Sequence, residues 1–250
     1  MQRIPLSCFI ITQDEADRIG RTIDCVKDWA DEVVVIDSGS GDDTVKIAEA
    51  HGARVLHRAW TGYGEQKRFG EDNCRNDWLL NLDADEVLRA DLAAEIRALF
   101  AGGAPQLSFY RFRLVHIYPG DSRPRPFADY HNYIRLYDRT RGRFSASAVH
   151  DEVDPRGAAV GQLKGRADHY SLRSLSHLID KLNKSTDLQG KSVTKRRALL
   201  PLRIVIEFPV TFFKFYILRR HFTGGIKGFV FALVHATFRV VRLAKIGGIT

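Results

Sequence analysis

Four short runs of apolar and β-branched residues, Leu6 to Thr12, Glu32 to Asp37, Ala53 to Arg58 and Asp77 to Asp83, punctuate the first third of the chain. Each is too short for a helix and is bounded by polar sequence, so each predicts a strand, the first two buried. Between them the spacing becomes helical. Ala16, Ile19, Ile23 and Val26 follow the acidic Asp14-Glu15, and acids at a helix start complement its dipole. Thr44 to His51 predicts a helix closed by Gly52, and Glu65 to Cys74 a third. Strands and helices in strict alternation predict a parallel sheet with right-handed crossovers.

Beyond the helix predicted at Asp91 to Phe100, where Leu92, Ile96 and Leu99 share a face, the pattern changes. Ser108 to Tyr118, Tyr130 to Arg139 and Arg143 to Val149 alternate and are separated by turns. They predict strands added from a mixed or antiparallel half. Leu172 to Leu188 returns to helical spacing. The fold class is therefore α/β, a mixed sheet flanked by helices, over residues 1–190. Residues 191–250 form a separate basic, amphipathic helical segment.

Charge sharpens that division. The chain has 250 residues and a net charge of +8, yet residues 191–250 hold twelve Lys and Arg against Glu207 alone, so the first 190 residues are net negative. A basic, Phe-rich tail points to an anionic surface. Its apolar runs, Ala198 to Leu218 and Gly228 to Val241, are interrupted by Pro201, Arg203, Glu207, Pro209 and Lys214, or end too soon at Arg239. A spanning helix needs about 20 mostly apolar residues. An interfacial helix on an anionic membrane fits better, and the interleaving of basic residues with apolar runs argues against nucleic acid. Cys8, Cys25 and Cys74 show no metal-type spacing and are expected as buried free thiols. The N-terminus lacks the long apolar stretch of a secretory signal, so the expected location is cytoplasmic, peripheral on the inner face of the membrane.

In an open α/β sheet, ligands bind beyond the carboxyl ends of the strands. Three predicted strands end there in polar sequence: Thr12-Gln13-Asp14-Glu15, Asp37-Ser38-Gly39-Ser40 and Asp83-Ala84-Asp85-Glu86. Two carboxylates at i and i+2 leaving a strand can turn toward one hard cation such as Mg²⁺ or Mn²⁺, with phosphate completing the coordination. A solvated acidic loop is the alternative reading of the same triplet. No glycine-rich phosphate loop of either common type occurs, and Gly39 and Gly41 do not match the dinucleotide spacing, which argues against a NAD enzyme. A phosphorylated ligand would then need side chains to hold its charge, and Lys67 and Arg68 are candidates.

Four segments, SCFIITQDEADRIGRTID, EVVVIDSGSGDDT, WTGYGEQKRFG and DWLLNLDADE, together resemble the family 2 glycosyltransferases of the GT-A fold. The resemblance runs over roughly residues 5–190. It is closest to the bacterial group that adds a glucose to the heptose region of the lipopolysaccharide inner core. It implies a nucleotide-sugar donor, UDP-glucose in that group, with nucleobase and ribose near Thr12, Glu15 and Asp37. It also implies a divalent metal and diphosphate at Asp83 and Asp85, approached by His169 in Asp168-His169-Tyr170. On the acceptor side the group carries a Val-His-Glu segment, and here the chain reads Val149-His150-Asp151-Glu152. The base role passes to Asp151, one methylene shorter than Glu, or to the adjacent Glu152. Arg68 stands where the group has Asn.

The chemistry so implied is an inverting displacement in which one carboxylate takes the proton of an acceptor hydroxyl. A metal-bound nucleoside diphosphate leaves without a protonated acid, unlike the two-carboxylate arrangement of a glycosidase. The expected acceptor is a membrane glycolipid such as the lipopolysaccharide core. Two other readings remain open: transfer to a polyprenyl phosphate, which needs no base, and a non-catalytic protein binding membrane or nucleic acid.

Overall fold

Side-chain alternation along the central strands sorts their apolar residues onto two faces, and each face has its own core. The computed structural model describes residues 3–146, 152–192 and 200–248. Strands β1 (Ile4–Thr12), β2 (Ala30–Asp37) and β4 (Trp78–Asp83) send Leu6, Cys8, Ile10, Val33, Val35, Leu80 and Leu82 to one side. There they meet Ile19 and Ile23 of helix α1 (Ile19–Asp24). The intervening Phe9, Ile11, Val34, Ile36 and Leu79 pack on the other side with Phe69 of α3 (Tyr63–Asn73). A two-residue period alone produces this division. At Gly70 a Cβ would lie 2.6 Å from the Phe9 ring, so α3 seats only because that position has no side chain.

The eight strands run in the order β3-β2-β1-β4-β7-β6-β8-β5. Pairs β1/β2, β2/β3 and β1/β4 are parallel, with β3 at Arg54–His57 and α2 (Thr44–Ala50) crossing between β2 and β3. Pairs β4/β7, β6/β7 and β5/β8 are antiparallel, with β5 at Glu86–Leu88, β6 at Phe109–His116, β7 at Tyr130–Asp138 and β8 at Val160–His169. The mixed sheet expected from the change of pattern is present. Helix α4 (Ala90–Leu99) lies against β8, where Gly165 allows a close approach: a Cβ there would sit 2.5 Å from Leu92 Cα.

Several elements differ from the sequence reading, for local reasons. The helix expected from Asp14 begins only at Ile19. The amides of Asp14, Glu15 and Ala16 donate instead to Ser40 Oγ, Thr44 Oγ1 and Asp42 Oδ2, and Asp14 takes a left-handed φ of 54°. Side chains of the second strand-to-helix loop thus draw this segment out of helical geometry. The strand expected at Arg143 to Val149 is reduced, among the described residues, to one antiparallel bridge between Phe144 and Val153. Strand β8 escapes notice because Gly161, Lys164, Gly165 and Arg166 dilute its apolar signal, and β5 because it has three residues. The last predicted helix spans Leu175–Ser192, here α5. The three thiols are free, with Cys8 and Cys74 buried and Cys25 half-buried.

The chain divides into two compact units. The first comprises Met1–Val115 with Tyr130–His169, and the second His116–Asp129 with Tyr170–Thr250. In the second, α5 and α6 (Leu200–Phe213) both pack on α7 (Gly225–Ile246). A π turn at Lys214–Leu218 follows Pro209, which removes one donor from α6, and a 3₁₀ turn at His221–Gly224 leads into α7. Tyr118, Leu178 and Phe231 form its core. His221 is buried between Tyr118, whose hydroxyl lies 2.6 Å from Nδ1, and Asp129, whose Oδ2 lies 3.1 Å from Nε2. Much of the rest of this unit's apolar surface faces outward: Leu202, Val205, Val210, Phe213, Leu218 and Ile226 are each more than half exposed. No helix among the described residues is long and apolar enough to cross a membrane.

Candidate active site

Strand register decides which residues meet. Thr12 pairs with Asp37, and Ile11 with Asp83, so the acidic tips of β2 and β4 flank the end of β1 at one edge of the first unit. The Asp37 carboxylate is buried and accepts the amides of Gly39 (2.8 Å) and Ser40 (3.0 Å), so it shapes its own loop. Thr12 Oγ1 is buried without a hydrogen-bond partner. Such an orphaned hydroxyl calls for an explanation, and a bound ligand is one. Glu15, also at this edge, forms a close ion pair with Arg18.

Lys67 is completely buried and reaches Asp83 Oδ1 at 3.1 Å. The other Asp83 oxygen is 2.9 Å from Arg135 Nη2, which also donates to Glu86 Oε1 at 2.7 Å. Against the cost of burial, Arg135 and Lys67 hold the Asp83 carboxyl far below the ordinary range. Glu86, fully buried, is pushed upward by its desolvation and by the charge of Asp83. Arg135 owes its aim to a β-bulge. Tyr110 pairs with Leu136 while Arg111 pairs with Ile134, leaving Arg135 as the extra residue on β7. The neighbouring Arg68 side chain is half-buried, and its carbonyl accepts a bond from Arg143.

Asp85 and His169 face each other. Pairing of β5 with β8 sets Glu86 opposite His169, and His169 Nε2 lies 3.5 Å from Asp85 Oδ2. Against burial, each stabilises the charged form of the other: the Asp85 carboxyl is lowered and the His169 imidazole raised. Arg18, itself buried, approaches the same Asp85 oxygen at 3.7 Å. Of the three residues expected to hold a metal, two therefore stand together while Asp83 is engaged by cations. No group of three or more His, Cys, Asp or Glu arranged to hold a metal occurs among the described residues.

A cleft of about 550 Å³ in the first unit is lined by Asp83, Glu86, Arg135, His169 and Glu152, among others. Glu152 is exposed, and its carbonyl accepts the Ser145 amide at 3.1 Å. Asp151 lies outside the described residues. Sequence reasoning missed Arg18, Glu86 and Arg135. An arginine inside the otherwise apolar run of β7 was a readable signal for the last; Arg18 had none.

An open sheet with acidic strand tips at one edge, and a cleft beside them that Asp83 lines, is a layout in which α/β proteins hold ligands. Residues 7–150 match the sequence profile of glycosyl transferase family 2. A glycosyltransferase of Rickettsia felis is 40% identical over 96% of this chain and 89% of its own length. The lipopolysaccharide core biosynthesis glycosyltransferase LpsC of Rhizobium meliloti is 27% identical over 98% of this chain and 92% of that protein. The solved glucosyl-3-phosphoglycerate synthase of Mycobacterium tuberculosis with Mn²⁺ and UDP-glucose aligns with 45% of this chain and 43% of its own. At 23% identity and a TM-score of 0.38, that likeness has no bearing on the chemistry of this site. The chain belongs to glycosyl transferase family 2, and its mixed sheet with flanking helices is the GT-A fold.

Proposed function

We propose that the protein transfers a hexose, with inversion, from a nucleoside diphosphate sugar such as UDP-glucose to a membrane-anchored saccharide of the lipopolysaccharide core. The observation that carries this reading is the register that sets Thr12, Asp37 and Asp83 side by side, with Asp85 and His169 at the same strand tips. The activity named for LpsC supports the choice of acceptor. The buried, unpartnered Thr12 hydroxyl and the hydrogen-bonded Asp37 loop suit a nucleoside. Lys67 and Arg135 fix Asp83 in its ionised form and set its orientation.

A carboxylate and an imidazole together suit Mg²⁺ or, better, Mn²⁺. Asp85 and His169 would hold the ion, which supplies charge neutralisation on the departing diphosphate. On the acceptor side, Asp151 or Glu152 takes the proton of the attacking hydroxyl, and the cleft position of Glu152 supports that role for it. The second unit serves as a peripheral anchor on an anionic inner-membrane surface. Its exposed Val205, Phe213 and Ile226, with Lys214, Arg219 and Arg220 close by in sequence, support this.

A donor screen by hydrolysis, across common nucleotide sugars with Mg²⁺ and Mn²⁺, tests the reading. Metal-dependent turnover of one donor is expected, and no metal-dependent nucleotide binding at all overturns it. Asp151→Asn or Glu152→Gln should cut transfer by at least 100-fold. If both variants transfer normally, the acceptor nucleophile needs no base, and a polyprenyl phosphate replaces the saccharide.

A further inference from the structure

The cleft extends from Asp83 along β6 and β7 to a set of side chains that the donor half does not use. Tyr133 and His131, two residues apart and hence on one face of β7, stack with ring centroids 5.2 Å apart and planes 10° from parallel. Both are exposed, both line the cleft, and the guanidinium of Arg135 lies 5.9 Å from the Tyr133 ring. The platform is thus tied to Asp83 through one residue. Asn132, between them, donates its Nδ2 to Gln162 Oε1 at 2.9 Å, while its Oδ1 is buried without a partner. Arg111, opposite Ile134 on β6, lines the same cleft with its side chain exposed. Arg135, Arg18, Arg143 and Arg89 are each paired with carboxylates; the Arg111 guanidinium has no ion-pair partner among the described residues.

An aromatic pair on one face of the β6–β7 pair, and on the other an acceptor lacking its donor and an unpaired planar cation, line the same cleft. Aromatic faces cover the C–H face of a sugar ring, a buried amide oxygen asks for a hydroxyl, and a guanidinium fork matches phosphate or carboxylate. We infer that Tyr133, His131, Asn132 and Arg111 form an acceptor subsite specific for a saccharide that carries an anionic group. The inference rests on the transferase reading and names the substrate class of that site. Tyr133 and His131 hold the ring, Asn132 Oδ1 accepts from a hydroxyl, and Arg111 takes the anion.

Calorimetry on the full chain, saturated with UDP and Mn²⁺, tests this with deacylated lipopolysaccharide core oligosaccharide as the titrant. Parallel titrations use the same oligosaccharide after phosphatase treatment and after carboxyl reduction. The native oligosaccharide should bind, and removal of one anion should weaken it at least tenfold, which also tells phosphate from carboxylate. Arg111→Gln should abolish that preference, Tyr133→Ala should weaken all three probes, and Lys46→Gln, on the exposed face of α2 and outside the cleft lining, should change nothing. UDP affinity, measured first, should be unaltered in every variant. The subsite is overturned if the wild type binds native and stripped oligosaccharides alike or binds none of them while binding UDP, or if Arg111→Gln keeps the preference. Failure to bind UDP with the anion preference intact would instead remove the transferase reading and leave the subsite standing.

Discussion

His169 Nε2 stands 3.5 Å from Asp85 Oδ2, although 84 positions in the chain separate them. The contact exists because β8 returns antiparallel to β5 and brings the end of one strand to the start of the other. A carboxylate and an imidazole are thereby held face to face at the strand tips, the pair proposed to hold the cation.

Removal of either partner should therefore cost metal-dependent donor binding. Asp85→Ala and His169→Ala are each expected to weaken Mn²⁺-dependent UDP affinity by 10-fold or more and to cut turnover by at least 100-fold. Titration of Mn²⁺ at fixed UDP measures the first, and initial rates the second. Variants that keep wild-type metal dependence would show that the ion, if any, sits elsewhere.

Arg135 pairs with both Asp83 and the buried Glu86 and also bonds Asn81. Substituting Met leaves the buried Glu86 without its cation and Asp83 with Lys67 alone, and breaking a buried pair typically costs about 3–5 kcal/mol. Urea unfolding of Arg135→Met should show a loss of that order. Arg135→Lys should recover only part of it, because one ammonium can stand in for the Nη2 that meets both carboxylates but leaves Asn81 without the Nη1 donor.

Acid stability should carry a signature of Glu32. Against burial, the Arg75 amide, the Ser7 hydroxyl and Arg54 lower its carboxyl below the ordinary value. A carboxyl lowered in the folded state contributes stability that is complete above its unfolded pKa, about 4.3. That contribution is lost as pH falls through the lowered folded value. Glu32→Gln should be less stable than wild type at pH 7, and the two should converge as pH drops below about 4. Thermal melts from pH 7 to 3 would reveal it, and parallel curves would contradict it.

The outward apolar residues of the second unit should bind lipid. Val205 and Ile226 are 73% and 76% exposed, so replacing them with Ser removes little packing from the protein. Each loss of apolar burial in a bilayer is worth about 1.5–3 kcal/mol, or roughly a tenfold or greater fall in vesicle partitioning. Sedimentation with phosphatidylglycerol vesicles should show that fall for V205S and I226S, together with weaker binding at high salt. Equal binding of both variants and wild type would argue for a different occupant of that face.

The parallel half of the sheet was legible from residue order alone. Strands β1, β2 and β4 are buried on both sides, so a short apolar run and a two-residue period specify both element and faces. The edge strand β3 is partly exposed and was legible as a short apolar run alone. The acidic strand ends were legible too, because strand polarity and the crossover rule bring the carboxyl ends of neighbouring parallel strands to one edge. The GT-A architecture and membership of family 2 follow from those same segments.

Tertiary structure alone decided which side chains those carboxylates meet. Lys67 and His169 are expected at the site from sequence, but nothing near Asp83 announces Arg135 and nothing near Asp85 announces Arg18. A one-residue bulge aims Arg135, antiparallel pairing places His169, and the packing of α3 and α1 brings Lys67 and Arg18. The late helix start after Asp14 has the same origin, since Ser40, Asp42 and Thr44 compete for amides that local propensity assigns to a helix. Local periodicity records which face a residue takes. Electrostatic partnership depends on distances between elements far apart in the chain, and only the folded packing sets those.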